Sequence, residues 1–184
     1  MDTSSGLVNS VSQKFPHIPD LIALKENITN AFDQTPPPEG YDFENCDIFN
    51  VVKNPNAIIG NGIYKLNFNA TVDNILQNAN CLLMKVRRIL GVYMGMIFGR
   101  WAMEKANLIS IMIQTSVFCG SDYGSSLVRF GWTVLLFQAD NPGSWAFRCH
   151  IEAHFYLGMG VVFAEGIERI GPLPSSIMGC MSRN

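Results

Sequence analysis

Apolar and polar residues alternate along Ile63-Tyr64-Lys65-Leu66-Asn67-Phe68-Asn69, the period of a strand with one buried face. Thr71 to Asn78 predicts a second strand, Gly131 to Gln138 a third, Trp145 to His150 a fourth and Met159 to Ala164 a fifth. Asn54-Pro55-Asn56, Gly60-Asn61-Gly62 and Asn141-Pro142-Gly143 are the turn clusters between such runs. Short strands punctuated by turn residues predict an all-β sandwich. Residues 1–20 predict a flexible, frayed lead-in, because Pro16 and Pro19 interrupt any regular element. The stretch Asp33 to Gly40, with Pro36-Pro37-Pro38, predicts an extended link. One region breaks the rhythm. Between Cys81 and Ser126 the chain is rich in Met and Ile, and its charges follow no strand period. Leu82–Asn107 predicts a helix, weakened by Gly91, Gly95 and Gly99, so an irregular or partly helical insertion is expected at about 81–127.

The chain has 184 residues, enough for one domain, and 48% hydrophobic residues give it a core to bury. Its net charge of −2 argues against a nucleic-acid partner, whose footprint would be basic. The most apolar run, Ile89 to Gly99, lies between Arg88 and Arg100 and is too short to span a membrane. The start, Met-Asp-Thr-Ser-Ser-Gly, has neither the basic nor the apolar region of a signal peptide. Yet Asn27-Ile-Thr29 and Asn69-Ala-Thr71 are glycosylation sequons. Both being real would make the chain a piece of a larger secreted protein. Five cysteines (Cys46, Cys81, Cys119, Cys149 and Cys180) at irregular spacings do not form a disulfide framework.

The chemistry concentrates in Trp145-Ala-Phe-Arg-Cys149-His150-Ile-Glu-Ala-His154-Phe-Tyr-Leu-Gly-Met159. A thiolate, an imidazole five residues on and a thioether ten residues on converge if a strand ends near His150 and the chain turns back. With a second imidazole, that is the trigonal His₂Cys set with a weak axial Met of a blue-copper centre. The alternative is a buried cysteine with two partly exposed histidines on a strand edge.

Asp140-Asn-Pro-Gly-Ser-Trp-Ala-Phe-Arg-Cys-His-Ile-Glu-Ala-His-Phe-Tyr-Leu-Gly-Met159 resembles the C-terminal copper signature of the multicopper oxidases, D-N-P-G-x-W-x-F-H-C-H-I-x-x-H-x-x-x-G-M. Phe32 to Pro38 and Gly60 to Asn80 resemble the plant ascorbate-oxidase branch more than the laccases. The resemblance implies a cupredoxin-like, or plastocyanin-like, Greek-key β-sandwich over 21–184, the third domain of a secreted, cell-wall enzyme whose first and second domains are missing here. It implies copper as cofactor, and an ascorbate-like reductant and dioxygen as substrates. Cys149, His154 and Met159 would be blue-copper ligands, and His150 a ligand of the trinuclear cluster that reduces dioxygen. Cys180 would match a cysteine that pairs with the absent first domain.

Two departures count against activity. Arg148 stands where the family has histidine, and a guanidinium has no lone pair for a metal. No histidine lies between Asn80 and Arg148, where the family carries H-P-W-H-L-H-G-H-D-F-W. Codons for Leu90-Gly-Val-Tyr-Met-Gly-Met-Ile-Phe-Gly99, read from each third base, permit W-x-L-H-G-H-D-F-W. The region 81–127 therefore reads as an out-of-frame translation, with the frame restored near Val128, the alternative being a genuine divergent insertion. Three functions stay open: a copper oxidoreductase fragment inactive alone, a one-copper electron-transfer or metal-binding module, and a copper-free cell-wall glycoprotein or degraded gene product.

Overall fold

The computed structural model describes residues 6–14, 16–39, 57–77, 89–93, 98–104, 121–122, 124–127 and 132–178. One sheet has five strands: β3 (Tyr64–Leu66), β11 (Gly160–Glu165), β10 (Gly143–Cys149), β5 (Ile89–Tyr93) and β8 (Gly124–Leu127), in that spatial order. A second has four: β4 (Thr71–Gln77), β9 (Trp132–Gln138), β6 (Phe98–Glu104) and β7 (Ser121–Asp122). A small parallel pair joins β1 (Val11–Gln13) to β2 (Ile58–Gly60). Three short α-helices, α1 (Asp20–Lys25), α2 (Glu152–Tyr156) and α3 (Ser175–Met178), and one 3-10 turn, Ile167–Arg169, complete the described elements. The sheets are open, and the fold is cupredoxin-like rather than a closed barrel.

The two large sheets meet through Leu135 and Phe137 of β9 and Phe147 and Phe163 of the other sheet. The Phe163 ring centroid lies 6.0 Å from that of Phe137 and 6.4 Å from that of Phe147, tilted in both cases. The opposite face of β11 sends Val162 and Ala164 into a second cluster with Ala23 of α1, Phe32 and Ile63. Both faces of β11 are covered, which is why its sequence is a continuous apolar run rather than an alternation. Helix α1 follows Pro19 and ends where Asn27 turns left-handed (φ 53°). The Ile28 N–H then donates to the Ala23 carbonyl at 2.8 Å, a bond that closes the helix C-terminus.

The five runs read as strands are the core strands β3, β4, β9, β10 and β11. β3 stops at Leu66, because the Ala70 N–H donates to the Asn67 carbonyl and Asn69 takes a positive φ of 66°. Two expectations need correction. The frayed lead-in contains β1. The helix expected over Leu82–Asn107 is replaced, where the chain is described, by β5 and β6. Ile89, Val92, Tyr93, Phe98 and Trp101 are β-branched or aromatic, and Gly91 and Gly99 penalise helix. β5 pairs along β10 and β6 along β9 instead.

Candidate metal centre

Strand β10 delivers Cys149 to the edge of the core, 3% exposed. Phe147, on the same face by the two-residue period, is buried, whereas Trp145 is half-buried and donates its indole N–H to the Asn141 carbonyl at 2.8 Å. Beyond Cys149 the chain does not simply loop back. Ile151 caps α2, and the Leu157 and Gly158 N–H groups bond the Ala153 and Phe155 carbonyls at its end. Gly158 turns at φ +100° to start the return.

This local wrapping brings the predicted residues together. The Cys149 Sγ lies 3.6 Å from His154 Nδ1. The Cys149 N–H donates to the Met159 carbonyl at 3.1 Å, and the Met159 N–H to the His154 carbonyl at 2.9 Å. Cys149, His154 and Met159 therefore frame one small loop. His150 is exposed, one residue outside it.

Arg148 is committed elsewhere. Its Nη1 donates to Glu152 Oε1 at 3.0 Å and to the Cys149 carbonyl at 3.2 Å, and its guanidinium stacks 4.5 Å from the Phe155 ring centroid. It clasps α2 onto β10.

The lead-in completes the surround. The Gly6 N–H donates to the Leu157 carbonyl at 2.8 Å, the Ser12 hydroxyl to the same carbonyl at 3.0 Å, and the Gln13 N–H to the Gly158 carbonyl at 2.9 Å. A strap of chain, residues 6–13, is thus laced to the segment between His154 and Met159. The sequence pattern gives no sign of it. The bonds are mostly backbone, and their partners lie far apart in the chain.

The donor set can be tested against copper chemistry. One ion about 2.3 Å from sulfur and about 2.0–2.1 Å from nitrogen spans the 3.6 Å gap at a ligand–metal–ligand angle of about 110°. That is a normal tetrahedral or trigonal angle, so the thiol–imidazole pair fits a single ion. The trinuclear cluster does not fit. Among the described residues no three His, Cys, Asp or Glu side chains gather. Cys46, Cys81, Cys119 and Cys180 lie outside the described residues.

The sequons sit apart from this centre. Asn27 is exposed at the end of α1, and Asn69 is exposed at the β3–β4 turn, where its Oδ1 accepts from Gln138 Nε2 at 2.9 Å. Asp20, at the first turn of α1, has its carboxyl pushed up to about 6 by burial.

Residues 126–169 match the sequence profile of the family described as Multicopper oxidase. Over 187 residues the chain is 40% identical to an L-ascorbate oxidase of Cucumis sativus, an alignment covering 95% of this chain and 30% of that protein. The chain belongs to the multicopper oxidase family. A Nicotiana tabacum L-ascorbate oxidase is 37% identical over 94% of this chain and 30% of its own length. Laccase-9 of Arabidopsis thaliana is 30% identical over 92% of the chain. The chain therefore spans about 30% of the length of the ascorbate oxidases that it matches. Among solved structures the fold is similar to that of Fet3p, a multicopper oxidase that functions in iron import, with a TM-score of 0.66 and 17% identity. That match covers 95% of this chain and 31% of the other.

Proposed function

We propose that this multicopper-oxidase chain is a copper-holding remnant of the third cupredoxin domain of an ascorbate-oxidase-like enzyme, derived from a Greek-key sandwich and inactive by itself. Cys149, His154 and Met159 hold one copper; the oxygen-reducing cluster is not assembled. The observation that carries this is the pairing of two facts on adjacent residues. Cys149 Sγ stays 3.6 Å from His154 Nδ1, while Arg148, in a cluster histidine's place, is bound to Glu152. Copper would supply a soft Lewis-acidic ion bound through sulfur. The residues of this chain supply a soft donor pair, a buried wall and a clasped loop around it.

Ascorbate and dioxygen are the substrates this reading inherits from the matched relatives, and the missing domains are the partners it lacks. A cell-wall or extracellular origin with glycans on Asn27 and Asn69 belongs to the same reading. Copper-loaded chain supplied with ascorbate should consume no oxygen above the free-copper control at an oxygen electrode. Turnover above that control refutes the inactive-remnant reading.

A second reading, a degraded gene product, rests on the third-base reading of Leu90–Gly99, which permits two histidine codons across Tyr93–Met94 and Gly95–Met96 where the chain carries no histidine. The nucleotide sequence across Asn80–Val128 decides: an open shifted frame encoding H-G-H-D supports it, and stop codons in that frame refute it.

A further inference from the structure

Oxidation state is the property of this centre that its surroundings constrain most. Cys149 is 3% exposed, so any complex built on its sulfur sits in a poorly solvated place where net charge is costly. A thiolate with a monovalent ion is neutral. A thiolate with a divalent ion keeps one positive charge, which needs an anion nearby. Glu152 is the only acidic residue between Cys149 and Met159, and its carboxylate is bound to the Arg148 guanidinium at 3.0 Å. It is therefore spent as both counter-charge and hard oxygen ligand.

Coordination number points the same way. Structural divalent zinc takes four ligands, and the trigonal cupric centre of blue copper needs a second imidazole. This loop offers one sulfur–nitrogen pair and the thioether of Met159. Among the described residues no third His, Cys, Asp or Glu joins them. A d¹⁰ monovalent ion is content with two or three ligands, and soft sulfur donors select it. The strap also restricts how far the loop can open to recruit more. Gly6 lies so close that a Cβ there would meet the Met159 Cβ at 3.0 Å.

We propose that Cys149 and His154, with Met159, hold a soft monovalent ion, cuprous copper, in preference to any divalent ion, so that the centre stores the metal rather than cycling it. This rests on the copper reading above and adds to it the oxidation state.

The test uses the full chain in anaerobic buffer. Cuprous ion is titrated against a chromophoric cuprous chelator, with zinc and cupric ions titrated in parallel. One equivalent of cuprous ion should bind, at least about a hundredfold tighter than zinc, and cupric ion should give no intense visible thiolate band. His154→Gln should weaken cuprous binding about tenfold or more while far-UV circular dichroism stays unchanged. One equivalent of cupric ion held with an intense visible band overturns the proposal and leaves copper binding standing. Cuprous affinity unchanged in His154→Gln overturns it too, since Cys149 would then bind alone. No uptake of any of the three ions overturns the copper reading itself, and this inference with it.

Discussion

Replacing Gly158 by alanine tests whether the strap and the metal loop are one structural unit. Gly158 sits at φ +100°, and a Cβ there would lie 2.2 Å from Ser12 Oγ, 3.0 Å from Gln13 N and 3.1 Å from Gln13 O. Three costs follow. A side chain at that positive φ costs about 1–3 kcal/mol. The Ser12 hydroxyl, on a residue only 7% exposed, must give up the Leu157 carbonyl, a net loss of about 0.5–1.5 kcal/mol. The Gln13 backbone cannot rotate out of the way as a side chain can, so the strap shifts and its bond to the Gly158 carbonyl weakens. Together Gly158→Ala should cost about 2–4 kcal/mol. Equilibrium urea unfolding followed by far-UV circular dichroism reads this as a lower midpoint at unchanged slope. The Ser12→Ala background separates the causes: it removes the 2.2 Å contact but neither the φ strain nor the Gln13 contacts. Gly158→Ala should then cost about 1 kcal/mol less, the coupling of two groups in contact. A cost below about 0.5 kcal/mol in the wild-type background, or no coupling at all, refutes a strap closed over this loop.

Two further outcomes follow from burial. Leu135, 1% exposed between the sheets, should lose about 2–5 kcal/mol on truncation to alanine, whereas Ile75, 50% exposed on the neighbouring strand, should lose well under that in the same urea assay; equal losses would misplace the core. For Asp20 the folded carboxyl titrates near 6 against an ordinary 3.8, so the folded chain holds its proton more tightly; stability is retained below about pH 4 and falls as pH rises through 6. Asp20→Asn should therefore stabilise the chain at pH 8, by about 1–2 kcal/mol once the screening of a part-exposed carboxyl is allowed for, and change little at pH 3; an equal effect at both pH values refutes a buried carboxyl.

What the sequence made legible was local. Leu66, Asn67, Phe68 and Asn69 alternate half-buried and exposed as their period requires, although regular pairing stops at Leu66. β9 and β10 fall where alternation and the Asn141-Pro142-Gly143 turn put them, although they belong to different sheets. The Cys149–Met159 spacing marked a segment that folds back on itself. What stayed hidden was non-local. β1 is held by β2 and by Leu157 and Gly158, partners far along the chain that no window around Val11 contains. In the stretch 81–127, periodicity without a strand rhythm suggested helix despite its glycines, but pairing with β10 and β9 decided the outcome where the chain is described. The indole of Trp145 is half-exposed because its N–H reaches the Asn141 carbonyl, a satisfaction rule that a burial period ignores.

On the copper-remnant reading proposed above, the same division between local and distant would explain which half of the copper chemistry is left. The Cys149–Met159 loop is closed by its own bonds: Cys149 N–H to the Met159 carbonyl, Met159 N–H to the His154 carbonyl, and Arg148 at the end of β10 to Glu152 at the start of α2. Little chain entropy is spent in closing so short a loop, and none of those bonds needs the segment 81–127. A four-ligand blue site and a three-copper cluster need donors from distant strands and other domains, so each depends on every segment being right. On that reading, one out-of-frame stretch and one arginine in a histidine's place would remove those donors while leaving the short loop intact. Arg148 even strengthens what remains, since it ties α2 to β10 through Glu152 and Phe155. Loss of oxygen chemistry and retention of a soft metal loop would then be two consequences of one rule: contacts local in sequence outlast those assembled from far apart.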